Sequence, residues 1–304
     1  MSNDIALISE TFGDIGGDLA EAMGFGSATQ SQQDNMPVLS QLYKALKGEM
    51  EVRGKKMNVE TIPGGAYSLK INDETTYYSE TVTVRIFMQR FFYQRYEKFE
   101  VPVEDKDGRM FRTTMAKGLN VGDLKDNYGT FNCGRPGGFI KDYDTLSGAL
   151  RDIVKNTKRV MAVFGLVKLN NPTDKDGNPI EVDEWYPFMY HVKNRDSYKA
   201  MENAAKTIIK RNRLPIQYEV LLASDSRPLP NGELNFFIKA TPTNAVEMAP
   251  EDADLMRDFI AYIEEYNRMI ATMWDKVHRN DIDDDTRDIV DQFVDISDAE
   301  GDDD

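Results

Sequence analysis

The chain has 304 residues, 40% of them hydrophobic, with a net charge of −15, one cysteine and two histidines. It has no apolar run of the roughly 18–20 residues needed to cross a bilayer, and its N-terminus lacks the basic and apolar regions of a signal peptide, so the sequence excludes a membrane helix and predicts a cytoplasmic protein. A lone cysteine cannot form an intrachain disulfide, and Cys133 with two histidines offers too few ligands for a Cys/His zinc site, so we expect no metal, no cofactor and no enzyme activity.

Charge is distributed unevenly along the chain. Residues 1–36 carry six acidic residues and no lysine or arginine, and residues 281–304 carry twelve acidic residues and one arginine. Subtracting these flanks, which total −17, leaves about +2 for residues 37–280. This distribution predicts a disordered acidic N-terminal segment over 1–36, a folded core with a C-terminal helix over 37–279, and a disordered acidic tail over 280–304.

The first folded elements are predicted from hydrophobic spacing. Pro37 opens a short pattern with the spacing of a helix, which Gly48 ends. Residues 81–103 then give the clearest strand signal, because apolar and polar side chains alternate there with the period of a strand. Asp107-Gly108 is expected to form a tight turn, after which the sequence MFRTTMA returns as the partner strand.

The second half of the chain alternates strand pairs with helices, after a Gly-rich irregular stretch at 116–144. Helices are predicted near 146–154 and over 195–212 and 250–277, and strands over 159–169, 184–192, 217–224 and 233–241. Asp176-Gly177 and Asn231-Gly232 supply further tight turns between consecutive strands. Turns this short connect antiparallel strands, so we expect an α+β fold: an antiparallel sheet or small barrel with flanking helices and disordered termini.

Aromatic and basic side chains are interleaved in the strand over 81–103. If Val84 and Ile86 face the core, Arg85 and Phe87 point to the other side of the sheet. Bases stack on aromatic rings at about 1–3 kcal/mol each, and arginine and lysine neutralise phosphates, so the segment predicts contact with single-stranded nucleic acid. A strand whose aromatic residues are all core is the alternative. The candidate contacts are Arg85, Phe87, Arg90, Phe92, Tyr93, Arg95 and Tyr96.

Two other segments are candidates for phosphate contact. The loop FNCGRPGGFIK over 131–141 matches neither a P-loop nor a dinucleotide motif, but its glycines would let a nucleic-acid strand approach the backbone. Cations at the end of the 195–212 helix would bind phosphates without sequence specificity. A purely structural loop, and cations that only interact with the helix dipole, are the alternatives. The candidates are Arg135, Phe139, Lys141, Lys206, Lys210, Arg211 and Arg213.

The acidic tail contains a short apolar strip among its carboxylates. This composition predicts a docking peptide for partners with basic, apolar grooves. The same charge would compete with DNA for the basic face of the protein in a salt-dependent way. Solubilisation alone is the alternative. The candidate partner-binding residues are Asp291, Phe293, Val294, Asp302, Asp303 and Asp304.

The strand TVRIFMQRFFYQRYEKF, the strand RVMAVFGLVKL with its partner, and the tail ending in DDD together resemble phage and bacterial single-stranded DNA-binding proteins, the phage-encoded ones most closely. The resemblance covers about residues 49–304. It implies an OB-fold core, stacking of bases on barrel aromatics, and roles in DNA replication, recombination and repair. It also implies recruitment of a polymerase, primase–helicase or nuclease by the tail, and it is compatible with a homo-oligomer. A strand-annealing or recombination mediator, and a virion or scaffold assembly protein, are the alternatives.

Overall fold

The structure is a computed structural model. It describes residues 36–52, 55–103, 106–120, 122–138 and 140–279. The predicted disordered ends lie outside the described residues, apart from Met36, and so do the partner-binding tail residues and Phe139.

Eleven strands and three α-helices form the regular part of the described chain. The strands are β1 (Val38–Gln41), β2 (Leu46–Val52), β3 (Lys55–Ile62), β4 (Tyr67–Lys70), β5 (Thr76–Ser79), β6 (Thr81–Val103), β7 (Lys106–Arg112), β8 (Lys158–Asn170), β9 (Tyr186–Val192), β10 (Tyr218–Pro228) and β11 (Leu234–Ala245). The helices are α1 (Gly148–Asn156), α2 (Arg195–Ile209) and α3 (Pro250–Arg279). Short 3₁₀ turns occur at Asn132–Gly134, Tyr143–Thr145 and Pro215–Gln217.

Nine strands form one sheet in the order β11-β10-β6-β8-β9-β1-β4-β5, and β7 pairs with the outer half of β6. The pairs are antiparallel except for β1 with β9. Strands β2 and β3 form a separate hairpin. The predicted α+β class and antiparallel sheet are therefore confirmed at this level. The strand order is open in the described part of the chain, so the backbone does not close a barrel.

The sheet nevertheless curls until its β4 side touches β10. The Tyr67 hydroxyl donates to the carbonyl of Ala223 at 3.2 Å, and Gln41 Nε2 donates to Ser224 Oγ at 2.6 Å. The side of the sheet that carries Tyr67 is packed as one apolar core with the buried face of α2, including Met201 and Ile208. This side is therefore concave, and α2 lies within its curve.

A β-bulge in β6 determines which of its side chains face α2. The register between β6 and β8 shifts between Ile86 and Met88, which makes Phe87 the extra residue of the bulge. Val82, Val84 and Ile86 face α2 before the bulge, and odd-numbered residues face it afterwards. The uniform alternation expected from the sequence therefore breaks at Phe87.

Two local predictions were wrong. The segment after Pro37 forms β1 and the start of β2, not a helix; so short an apolar pattern does not separate the two periods, and pairing with β4 and β9 decides the outcome. Gly108 lies inside β7 opposite Lys98, not in a turn. A Cβ at Gly108 would lie 2.4 Å from the Glu97 carbonyl oxygen, so close approach of the two strands requires glycine there.

The predicted partner strand MFRTTMA is only partly found, because β7 begins at Lys106 and ends at Arg112 and the rest of that sequence forms isolated bridges. The remaining predicted helices and strands are confirmed with small shifts in their ends. Strand β6 has the predicted bounds, and β8, β9, β10 and β11 follow the predicted runs. Helix α2 ends at Ile209, three residues earlier than predicted, and Asn212 has a φ of 56°. The Asn231-Gly232 turn has Gly232 at a φ of 87°, a region that glycine occupies without strain.

Candidate nucleic-acid interface

Arg85, the first of the predicted contacts, is buried beneath the N-terminal end of α3. Its guanidinium donates to the two carboxylate oxygens of Asp252 at 2.7 and 3.1 Å and to the carbonyl of Ile216 at 3.2 and 3.3 Å. Burial raises the pKa of Asp252, but the hydrogen bonds from Arg85 and the Ala249 amide and the charge of Arg85 lower it more, so the pKa lies below its ordinary value. Arg85 therefore joins β6 to α3, and we leave it out of the interface proposed below.

Phe87 and Phe92 also pack under α3. The Phe87 ring meets Phe259 edge to face with centroids 5.8 Å apart. Phe92 is fully buried, with its ring 6.3 Å from that of Tyr266 and 5.2 Å from that of His191. For these two aromatic residues the structure therefore agrees with the alternative interpretation, in which the ring packs inside the protein and does not contact nucleic acid.

Tyr93, Arg95 and Arg135 come together on the opposite, concave side of the sheet. Arg95 Nε donates to the carbonyl of Cys133 at 2.8 Å, and its guanidinium carbon lies 4.0 Å from the Phe111 ring centroid. Arg135 Nη1 lies 3.4 Å from the Tyr93 hydroxyl, and its guanidinium carbon is 5.5 Å from the ring centroid of Tyr93. The Gly-rich loop thus lies against β6. Tyr93 itself is only 5% exposed.

Cys133 is a packed residue in this cluster. It is fully buried, and burial together with the nearby Asp126 carboxylate raises the pKa of its thiol far above the ordinary value. A thiol held neutral in this way is neither a nucleophile nor a metal ligand.

Four predicted contacts lie at or just beyond the end of α2. Lys206, Lys210, Arg211 and Arg213 are exposed, and we call them the α2 cluster. Lys206 pairs with Glu202 at 3.0 Å, and the Arg211 guanidinium carbon lies 5.5 Å from the Tyr218 ring centroid. The sequence from 203 to 218 contains no carboxylate, so the cluster is strongly cationic at this point of the surface.

A second group of cations lies at the start of β8 and was not among the predicted contacts. Lys155, Lys158 and Arg159 are exposed, and we call them the β8 cluster. Arg159 is the direct partner of Tyr93 in the sheet, so both project from the same side. The stretch from 153 to 173 has no carboxylate, and this signal was available in the sequence.

The α2 cluster and Arg159 belong to the α2 side of the sheet, whereas Lys158 is the partner of Gln94 and projects from the other side, and Lys155 lies in α1. Helix α2 packs on this side, where Tyr198 near its start lies 6.0 Å from Phe91 between ring centroids. Phe91, Tyr93 and Arg159 share this side. The α2 cluster, Arg159 and Arg135 therefore form the candidate interface, which we call the basic face.

The remaining predicted contacts are more scattered. Tyr96 lies on the outer part of β6, pairs with Met110 and is 48% exposed. Arg90 is partly buried, which lowers its pKa, and its Nη1 donates to the Gln89 carbonyl at 2.9 Å. Lys141 is exposed in the loop before α1. Arg90 and Tyr96 are even-numbered residues of β6 after the bulge and project from the side opposite α2, and Lys141 lies on a separate loop, so we do not assign them to the basic face.

Comparisons with known proteins give no match: no protein-family model, no curated protein and no solved structure matches the chain. Within the described residues, no group of three histidine, cysteine, aspartate or glutamate side chains is arranged to hold a metal ion. No described helix combines the length and the apolarity that spanning a bilayer requires.

Proposed function

We propose that the protein binds single-stranded DNA without sequence specificity on its basic face. The observation that carries the proposal is the exposure of the α2 cluster and of Arg159 on one side of the sheet, each within a stretch of sequence free of carboxylates. Lysine and arginine in such clusters bind phosphates and carry no information about base sequence.

The curled sheet supports an OB-like interpretation of the core. Strands β10, β6, β8, β9, β1 and β4 follow one another around the concave core, and the hydrogen bonds of Tyr67 and Gln41 bring the last strand back to β10. We propose that this arrangement is an OB-like barrel held at its seam by side chains. OB folds bind single strands along a groove with basic and aromatic side chains.

The chain composition supports a role in the cytoplasm during DNA replication, recombination and repair. A lone cysteine fits a reducing compartment. The twelve acidic residues of 281–304 would be repelled by DNA and attracted by basic partners, so we propose that the tail recruits replication or recombination proteins. The same tail would compete with DNA for the basic face.

The proposal is tested with a fluorescein-labelled oligo-dT and fluorescence anisotropy across a salt series. The test variant replaces all four residues of the α2 cluster with alanine. A matched control replaces the four exposed lysines Lys47, Lys117, Lys175 and Lys239, so both variants lose the same charge.

We expect the α2-cluster variant to bind at least tenfold more weakly at low salt. The slope of log affinity against log salt should fall by about 0.7 for each phosphate that the variant no longer neutralises, while the control keeps a slope near that of the original protein. Equal weakening of both variants would show that only net charge matters, and would contradict the assignment to the basic face. Absence of binding by the unaltered protein at low salt would overturn the function itself and favour an assembly role.

A further inference from the structure

A second aromatic and basic patch lies where the loop after β7 meets the C-terminal half of α3. Lys125 and Phe131 are direct partners in an isolated antiparallel bridge, so their side chains project from the same side. Both contact Trp274 of α3: the Phe131 and Trp274 ring centroids are 4.5 Å apart, and Lys125 Nζ lies 5.4 Å from the Trp274 ring centroid.

The loop that presents Phe131 is held by several hydrogen bonds. The Asn132 side chain accepts from the Leu124 amide at 2.9 Å and donates to Asp123 at 2.7 Å, and the Asn132 amide donates to the Leu124 carbonyl at 2.8 Å. Asp126 accepts hydrogen bonds from the amides of Tyr128 and Thr130 at 2.9 Å each. These contacts fix the loop on both sides of Phe131, so little conformational entropy is lost when a ligand meets its ring.

Exposure distinguishes Phe131 from the core aromatics. Its side chain is 47% exposed, although Trp274 behind it is only 8% exposed. Lys125 forms no salt bridge in the described part of the chain, and its ammonium group is placed beside the aromatic pair. A rigid, half-exposed ring next to a cation is the combination that accepts a base and its phosphate.

We propose that Phe131, Trp274 and Lys125 form a stacking subsite for one base of a single strand, with Lys125 on the adjoining phosphate. The inference rests on the proposed function and extends it, because it adds a contact outside the basic face. A strand bound at both places would run past the end of α3, and the subsite would increase the number of nucleotides covered by each monomer.

Trp274 supplies a direct readout. The chain has two tryptophans, Trp185 and Trp274, so W185F leaves Trp274 as the only indole. In this background, oligo-dT should quench the tryptophan emission on binding. An oligonucleotide of the same length made of abasic sugar-phosphate units should bind through charge and leave the emission nearly unchanged.

The test variant adds Phe131→Leu, which keeps an apolar side chain but removes the ring. We expect at least fivefold weaker affinity for oligo-dT, near the lower bound for the loss of one stacked base, and no change for the abasic strand. Tyr43→Leu, which removes an exposed aromatic ring before β2, is the matched control and should leave both affinities unchanged. Lys125→Ala should weaken both oligonucleotides alike.

Anisotropy of the labelled oligo-dT, recorded in parallel, separates the two proposals. Normal binding without quenching, or with an affinity unaffected by Phe131→Leu, would overturn the subsite and leave the basic face standing. Absence of any binding would overturn the proposed function and the subsite with it.

Discussion

At the scale of single residues, the ion pair of Arg85 and Asp252 determines how α3 meets the sheet. Both side chains are almost fully buried, at 10% and 4% exposure. A buried charge that loses its partner is left without compensation, which costs about 3–5 kcal/mol of stability. Replacing one partner of the pair therefore lowers the stability by more than the net stabilisation that the intact pair provides.

Asp252→Asn should lower the free energy of unfolding at neutral pH by about 3 kcal/mol, because it leaves the Arg85 charge unpaired. Urea unfolding followed by circular dichroism measures this. The double replacement of Arg85 by methionine and Asp252 by leucine is the control, and should lose much less because no charge remains buried. A single variant as stable as the original would show that the pair does not hold α3.

The same pair makes stability depend on pH. The pKa of Asp252 is lower in the folded protein than its ordinary value of about 3.9. The contribution of Asp252 is therefore fully present above this value and is lost as the pH falls through the folded pKa. Unfolding free energies measured from neutral to acidic pH should fall less steeply for Asp252→Asn than for the original protein, and parallel curves would contradict the assignment.

Cys133 should be unreactive in the folded protein. Its thiol is buried and its pKa is raised by burial and then by Asp126, so almost no thiolate is available at neutral pH. We expect reaction with a thiol-specific disulfide reagent only at the rate of unfolding, with full reaction in urea. A fast reaction without denaturant would show that the Gly-rich loop opens from β6.

At the scale of elements, side chains of α3 hold the irregular chain after β7 by hydrogen bonds to its backbone. Asn267 Oδ1 accepts from the Met115 amide at 2.6 Å, and its Nδ2 donates to the Met115 carbonyl at 3.0 Å. The Tyr266 hydroxyl donates to the Thr113 carbonyl at 3.0 Å. This segment is not part of a named strand, and α3 supplies the hydrogen-bond partners for these backbone groups of Thr113 and Met115.

Asn267→Ala should lower the free energy of unfolding by about 1–3 kcal/mol, because it leaves two backbone groups of Met115 without partners. Hydrogen exchange should show faster exchange of the Met115 amide in this variant. Thr272→Ala, which removes an exposed side chain whose hydroxyl donates to the Arg268 carbonyl of the same helix, is the control. Unchanged exchange at Met115 would contradict the role of Asn267.

The elements show which parts of the fold the sequence can predict. The period of β6 and the Asn231-Gly232 turn are local, so strand and hairpin follow from neighbouring residues. The bulge at Phe87, and the packing of α3 over the side of the sheet that carries Arg85, depend on residues far away in the chain. For this reason the sequence predicts Arg85 and Phe87 as exposed contacts, whereas Asp252 and Phe259 bury them.

The sequence likewise predicts one part of the candidate site and not the other. Lys206 is exposed because it lies on the polar side of a helix with a clear apolar face, and the other three cations follow the end of that helix; both features can be predicted from the sequence. Helical spacing puts Trp274 in the apolar stripe of α3, and nothing in its neighbours shows that Phe131 and Lys125 meet it. Only the tertiary structure joins residues separated by so much of the chain.

At the scale of the whole molecule, charge is segregated. The acidic flanks together total −17, while residues 37–280 carry about +2, and the exposed α2 cluster and Arg159 are on one side of the sheet. A charged tail tethered to such a body acts at a high effective concentration. We therefore expect the tail to weaken DNA binding most at low salt, where screening is least.

The most direct test compares the full chain with a 1–280 truncation in binding to oligo-dT and to duplex DNA across a salt series. Our account predicts that both proteins bind the single strand more tightly than the duplex. Binding should weaken as salt rises, and the truncation should bind more tightly at low salt, by a factor that shrinks as salt increases. Equal affinity for duplex and single strand, or no binding by either protein at low salt, would contradict it.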